Sequence, residues 1–412
     1  MSSQTFRLLL WTVIVNCAYS VGAVQYSLKT VASFTGDNGG IPVGRLISDS
    51  GGNLYGTTQQ GTNNSGTIFE VAVGSNNVIT LGTFNGINGS QPAAGLIFDS
   101  AGGLVGTTTQ GGFNYRQGTV FQWSSLTHQI SVVAEFDGTH GGISSEPVIA
   151  DASGNLFGTT DAGGTFNQGT IFKVAAGSHT VTTMVSFTNT NGSGPASSLY
   201  MDSLGNLFGT TGNGGTNNVG VVFELPFGAT QTTTLVTFNG TNGAGGTSGL
   251  TADADGNLYG VTVAGGPQNN GVVYKLAAGT HTFSILATFG GTGVFAPEGD
   301  LAIDASGNLF GISRHGPTGA QSNNDFGTVF EVAAGTHAIS AIATFNGTNG
   351  AYPAGGLIVD TRGNIFGTTQ HGGPDNYGTI FELSPVPEPS TAMLLMLGYT
   401  VALTVSRRSR EF

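Results

Sequence analysis

Loop carboxylates, scattered histidines and a few isolated cations are the residues of this chain whose types could do chemistry. Asp253-Ala254-Asp255-Gly256-Asn257 opens like a calcium loop, where alternating oxygen ligands surround a hard cation. It runs directly into Leu258-Tyr259-Gly260 and lacks the distal bidentate acid, and equivalent segments such as Asp202-Ser203-Leu204-Gly205-Asn206 carry one aspartate. The pattern predicts a tight turn in which Asp caps backbone amides and Gly-Asn takes left-handed positions. His179, His281 and His337 occupy equivalent AAGSH or AAGTH turns, with His128 near another, whereas His140, His315 and His371 lie in other loops. Zinc needs three or four converging ligands, so this spacing predicts neither a metal site nor any other cofactor. Cys17 is the single cysteine and sits in the N-terminal apolar run, which excludes disulfides and cysteine chemistry in the body.

Sugar hydrolysis would need paired carboxylates, one with a raised pKa. Glu146, Glu298 and Asp325 stand in suitable loops. The chain has no GxSxG elbow, HExxH helix or phosphate-binding P-loop, and no catalytic residue is assigned. Residues 313–326 form the longest loop within a unit and concentrate Arg314, His315 and Asp325. With Arg116, Glu298 and His371 these are the candidate ligand-binding residues, because they depart from the repeat described next. Arg45, Tyr115, His140, Glu146 and Asp375 depart from it too. The plainer alternative is ordinary polar decoration of solvated loops.

The elements that must position these residues recur. Asp49, Asp99, Asp151, Asp202, Asp253, Asp304 and Asp360 each precede GNLFGTT or a close variant, at steps of 50, 52, 51, 51, 51 and 56 residues. So steady a period means a repeat architecture. One period holds four β-like runs: in the seventh, GLIVD (356–360), NIFGTT (364–369) and GTIFEL (378–383), with a fourth seen elsewhere as VITLGTF (78–84). Each is short, rich in β-branched and aromatic residues, and bounded by glycine or asparagine. The body shows no helical apolar period. The expected fold is all-β, a seven-bladed β-propeller of four-stranded blades, with a β-solenoid as the competing architecture. The chain begins with a fourth-type run (26–34) that has no blade, and its last unit lacks a fourth run. The N-terminal strand is therefore expected to complete the seventh blade and close the ring, removing exposed edges. Strand alternation places the DSxGN and AAGTH turns on one face. The longer loops fall on the other, the default binding surface.

Glycine is abundant (70 residues), charged residues are only 8%, and the net charge is −12. In the body the bases are Lys29, Arg45, Arg116, Lys173, Lys275, Arg314 and Arg362, outnumbered about threefold by acids. Phosphate binding needs a clustered basic face, so a nucleic-acid partner is not expected. Residues 1–23 carry Arg7, an apolar run (8–15) and small residues ending in Val21-Gly22-Ala23. That is the layout of a signal peptide cleaved after Ala23, and Asn16 stands where a lipoprotein at Cys17 would need a small residue. At the other end Val386-Pro387-Glu388-Pro389 precedes an apolar stretch (392–405) and then Arg407, Arg408 and Arg410. The arginines resist crossing, so this segment reads as a stop-transfer membrane anchor.

The tail (384–412) resembles a PEP-CTERM sorting signal, with Pro387, Glu388 and Pro389 matching its motif. That resemblance implies processing by an exosortase in a Gram-negative bacterium that makes exopolysaccharide. It also implies transient inner-membrane anchoring followed by delivery to the cell surface or extracellular matrix. The body (24–383) is similar to the GloVer tandem-repeat family through its repeated GNLFGTT…GG…GTIFE phrase. The similarity implies architecture and surface location without an assigned reaction. The second unit departs by reading GGLVGTT, with Val105 replacing the aromatic and Trp123 as the candidate to restore volume. The expected role is structural, adhesive or binding, with polysaccharide or a surface protein as partner. The alternative is a secreted propeller glycoside hydrolase or polysaccharide lyase.

Overall fold

Each position of the signature phrase has a physical reason, seen in full in the third unit. Asp151 Oδ1 accepts hydrogen bonds from the Ser153 and Asn155 amides (both 2.9 Å), and Oδ2 accepts from Asn155 Nδ2 at 2.6 Å. Gly154 takes φ +79°, the left-handed conformation in which glycine carries no Cβ penalty. Asn155 Oδ1 then accepts from the Ala176 amide at 3.1 Å, tying this turn to the AAGSH turn on the same face. A Cβ on Gly158 would lie 2.7 Å from the Phe172 ring, so the glycine is the bed on which that aromatic lies. Thr159 Oγ1 donates to the Ser197 carbonyl of the next unit (3.1 Å), while Thr160 Oγ1 pairs with Thr170 Oγ1 at 2.9 Å. The predicted calcium-like turn is of the same kind: both Asp253 oxygens are occupied by donors from Asp255, Asn257 and Tyr259.

The computed structural model describes residues 24–195, 197–290, 294–316 and 325–386. The signal peptide (1–23), the Pro387–Glu388–Pro389 motif and its arginines lie outside the described residues, as does part of the 313–326 loop. Among the described residues there are 28 strands and no helix. Apart from the outermost two residues of the first and last strands, the strands belong to one body, residues 27–384. Each unit forms an antiparallel sheet, for example Ile149–Ala150, Leu156–Thr160, Thr170–Val174 and Val181–Ser186. The register between third and fourth strands slips just before the third-strand aromatic, as between Ile171 and Phe172 or Val222 and Phe223. Such a bulge bends and twists the strand.

The architecture is all-β and propeller-like, with one difference from seven separate sheets. Units 1 to 5 are separate four-stranded sheets, whereas the sheets of units 6 and 7 merge into one of eight strands. Their inner strands, Phe295–Ile303 and Ala351–Val359, are longer than the two-residue inner strands elsewhere and meet through a parallel bridge between Asp300 and Gly356. In the same sheet the N-terminal strand Gln25–Ser33 lies beside Thr379–Val386 as the fourth strand of unit 7.

Successive units are joined by two recurring devices. The phenylalanine ending one unit's fourth strand packs edge-on or tilted against the third-strand aromatic of the next, as in Phe84–Phe121 (4.9 Å) and Phe238–Tyr274 (5.6 Å). The N-terminal Phe34 makes the same contact with Phe69 of unit 1 at 5.0 Å. In addition, a left-handed residue introduces each inner strand, and its amide donates to the preceding unit: Gln91 to Ser65, Ile143 to Gln117, Tyr352 to Phe326. Ile41 of unit 1 donates in the same way to Tyr377 of unit 7 at 3.0 Å. The core follows suit, with Phe34, Leu46, Leu54, Phe69 and Ile380 in one buried cluster.

Trp123 does not fill the space left at Val105. Val105 pairs with Gln122 and packs toward unit 3 with Phe136 and Phe172, whereas Trp123 packs on the opposite side with Ile68 and Phe84 of unit 1. Adjacent strand residues point to opposite faces, so the two cannot compensate. Trp123 Nε1 donates instead to the Leu81 carbonyl at 3.1 Å.

Candidate functional site

Inner strands begin at the long-loop face, and there the units converge on a central passage. A cavity of 260 Å³ is bordered by Arg45, Glu146, Glu298, Asp300, Thr247 and Gln370. Below it a 560 Å³ cavity is lined by inner-strand residues from all seven units, largely apolar, including Ile47, Ile97, Ile149, Tyr200 and Ile358. Arg45, Gly95, Pro147 and Asp300 border both cavities and mark the neck between them. Their place in the repeat, just before the inner-strand leucine or valine, is held by Ser198, Gly249 and Gly356 in the other units. Small residues there leave the passage open, and Arg45 and Asp300 put charge into it.

Asp300 is held in a fixed pose. Ser198 Oγ donates to its Oδ2 and the Gly249 amide to its Oδ1, both at 2.6 Å. A Cβ on Gly249 would lie 2.7 Å from Asp300 Oδ1 and closer still to Ser198 Oγ, so this cradle requires glycine. Asp161, at the end of a second strand, accepts from Ser145 Oγ at 2.8 and 3.1 Å. Glu146 is half-buried and borders the cavity. Burial, then the negative charges of Asp300 and Asp161, push its carboxyl well above the usual range. Burial also raises Asp161, against the lowering effect of the Ser145 hydroxyl.

The sequence-predicted residues divide. Glu298 lines the passage, and Arg314 Nη1 lies 3.9 Å from its Oε2. The Arg314 guanidinium sits 5.7 Å over the Tyr352 ring, which meets His371 edge-on at 6.0 Å. These four form one cluster across units 6 and 7. Asp325 is buried and turned to local structure, its oxygens accepting from the Gly316 amide and facing His315 Nδ1 at 3.1 Å. It is therefore not free to act with Glu298 as a carboxylate pair. Arg116 is an exposed left-handed residue (φ 57°) in a unit 2 loop, with no described interaction joining it to the others. Asp161 and Asp300 were missed by sequence reasoning. Both were visible as departures from the repeat, GTTD against GTTQ and PEGDL against PAGGL.

The acids also predict a pH profile. In the turns, burial alone would raise Asp49, Asp151 and Asp253, but the hydrogen bonds from Asn53, Asn155 and Asn257 outweigh it and hold all three below the usual range. A depressed folded pKa gives stability that is lost as pH falls below about 3.9 and through the folded value. Glu146 and Asp161 have the opposite sign: their contribution is complete below the unfolded pKa of about 4 and is lost as pH rises through the raised value. Thermal stability should therefore peak at mildly acidic pH. Glu146→Gln should raise the melting temperature at neutral pH and flatten that side of the profile. A profile unchanged by Glu146→Gln would contradict the enclosed, charge-repelled carboxyl.

The sequence matches the Gloeobacter/Verrucomicrobia repeat over residues 17–149 and 112–322, and the PEP-CTERM protein-sorting motif over 385–410. The sorting motif indicates export with C-terminal membrane anchoring. No curated protein matches the chain. Among solved structures, it is similar to the extracellular domain assigned to a hybrid two-component system of B. thetaiotaomicron (TM-score 0.55, 14% identity, covering 87% of this chain and 42% of that one). It is also similar to a puromycin-hydrolyzing peptidase of Mycobacterium tuberculosis (0.52, 10%, 85% and 53%). A third similar structure is a protein assigned as a 6-phosphogluconolactonase from Bacteroides uniformis (0.50, 12%, 76% and 88%). The chain spans about two fifths of the length of the B. thetaiotaomicron domain, and at these identities the likeness is one of fold alone. By its repeat, this chain belongs to the Gloeobacter/Verrucomicrobia repeat family.

Proposed function

We propose that the exported protein is a closed seven-bladed ring that binds a polysaccharide of the cell surface or matrix at the long-loop mouth of its central passage. Closure is supported by the bond from Ile41 to Tyr377 and the contact of Phe34 with Phe69, which repeat between the chain's ends the links between consecutive units. The observation that carries the binding reading is charge placement. In a chain with 8% charged residues, Arg45, Glu146, Glu298 and Asp300 line one small cavity. Fixed carboxylates and a guanidinium are the groups that pair with sugar hydroxyls. An exosortase of a Gram-negative host first removes the tail near Pro387-Glu388-Pro389 and its arginines.

The test is binding of the exported protein across a panel of matrix polysaccharides and cell-envelope extracts. Retention by a polysaccharide is expected, and no retention on any of them overturns the reading. Mass analysis of the C-terminus should find the tail trimmed in cells with exosortase activity and intact without it. An intact tail in both would leave only a membrane anchor. One observation favours a second reading, hydrolysis. Glu146, favoured in its neutral form beside Asp161 and Asp300, has the environment of a glycosidic general acid. Polysaccharide turnover that is lost in Glu146→Gln would select it.

A further inference from the structure

Arg45, Glu146, Glu298 and Asp300 line the 260 Å³ cavity, with Arg314 beside Glu298 and Asp161 close enough to act on Glu146, and their pairing leaves a deficit of positive charge. Arg314 faces Glu298 at 3.9 Å, so that pair lies close to neutral. Arg45 remains against Glu146, Asp161 and Asp300. Arg45 and Asp300 flank Gly356, where a Cβ would lie 3.3 Å from Arg45 Cδ and 3.4 Å from Asp300 Cβ. Asp300 and Asp161 are oriented by Ser198, the Gly249 amide and Ser145. Glu146 lines the cavity half-buried, with Asp300 and Asp161 near enough to raise its carboxyl. Crowded carboxyls disfavour one another's ionised form, and an opposite charge is what stabilises it.

We propose that this pocket takes the free amine of a terminal amino sugar, its ammonium held among Glu146, Asp161 and Asp300 while its hydroxyls pair with Arg45 and Gln370. The assignment rests on the polysaccharide-binding reading above and narrows it to one substrate class. The volume of 260 Å³ is below the ~300–1,000 Å³ of pockets for drug-sized ligands, which suits one sugar residue at a chain end. An N-acetylated sugar brings no charge and leaves the deficit in place. An anionic sugar meets three carboxyls with one cation to receive it.

The charges balance by proton exchange. The amine enters as ammonium, and any proton that Glu146 carries in the unliganded pocket, where burial and Asp300 favour its neutral form, leaves to solvent as its carboxylate forms an ion pair. The charges acting on Glu146 are Asp300 and Asp161, while Arg45 and Glu298 line the same cavity, the last already engaged by Arg314. Binding should therefore release protons and tighten as pH rises toward neutrality, as long as the amine stays charged.

The experiment is calorimetric titration of the exported protein with β-1,4-glucosamine tetramer, its N-acetylated counterpart and the glucose tetramer, in two buffers of different ionisation enthalpy. The expected result is binding of the amine form about tenfold tighter than the other two, with proton release. Glu146→Gln and Asp161→Asn should each abolish that preference. Asp255→Asn removes an equal charge from an exposed turn and should leave it intact. Equal affinity for the three tetramers would overturn the amine assignment while leaving polysaccharide binding standing. Failure of all three, together with failure of the wider polysaccharide panel, would remove both. An amine preference lost equally in Asp255→Asn, or kept in Glu146→Gln, would reduce it to general attraction by an acidic surface and overturn the pocket.

Discussion

Phe34→Ala is expected to cost about 3–5 kcal/mol, the range for truncating a fully buried aromatic, and to loosen the junction between the chain's two ends. Phe34 is completely buried and meets Phe69 edge-on at 5.0 Å and 71°. Its amide donates to the Gly378 carbonyl at 3.0 Å. One residue thus binds the N-terminal strand, the last sheet and the first unit together. The comparison is Phe187→Ala, which removes the equivalent contact with Phe223 between units adjacent in sequence. Urea unfolding should show a similar loss for both. Hydrogen exchange should differ: Phe34→Ala should expose the amides of Thr379–Val386, because losing the N-terminal strand leaves that strand at an edge. Protection of those amides unchanged by Phe34→Ala, or a loss under about 1 kcal/mol, would contradict the interlock.

Tyr274→Phe should act in the other direction and stabilise the protein by about 1–3 kcal/mol, the cost of a buried polar group left unpaired. Tyr274 is fully buried, and its hydroxyl has no hydrogen-bond partner among the described residues. The ring lies between Phe238 and Phe283, each 5.6 Å away. Burial pushes the phenol far above its ordinary value, so it stays neutral. The other six units carry phenylalanine at this position, with glycine beneath the ring in the same way. The substitution therefore removes one oxygen from a site already shaped for phenylalanine. A lower denaturation midpoint in Tyr274→Phe would mean that the hydroxyl is satisfied and the argument fails.

Much of the fold was legible because a repeat states its rules several times. The seven aspartates, the four runs per unit and the unmatched N-terminal run predicted the sheets and the place of Gln25–Ser33 beside the last strand. Turn chemistry was also local, since Asp, Gly and Asn within five residues satisfy one another, and the calcium-like segment at Asp253 proved to be such a turn. Two sets of aromatics could be counted, from Phe69 to Phe381 and from Phe34 to Phe345. Their pairing across units could not be read, because it depends on how one sheet stacks on the next. Trp123 and Val105 illustrate the same gap. They are close in the unit, yet they pack against different neighbours, because each sheet buries both faces.

The candidate site was less legible for the same reason. A departure from the repeat identifies a residue free of the structural role, but it does not say which way that residue points. Asp325 departs and is consumed by His315 and Gly316. Arg116 departs and stays on an outer loop. Asp300 departs in PEGDL and reaches the neck of the passage. By itself the sequence determined the unit, its turns, the strand count and the export address, all set by chemistry within some fifty residues. Only the tertiary structure decided that Arg45, Glu146 and Asp300, drawn from three separate units, share one cavity, with Asp161 close enough to act on Glu146. Electrostatic interaction depends on distance through space, and those distances exist only once the sheets are arranged around the passage.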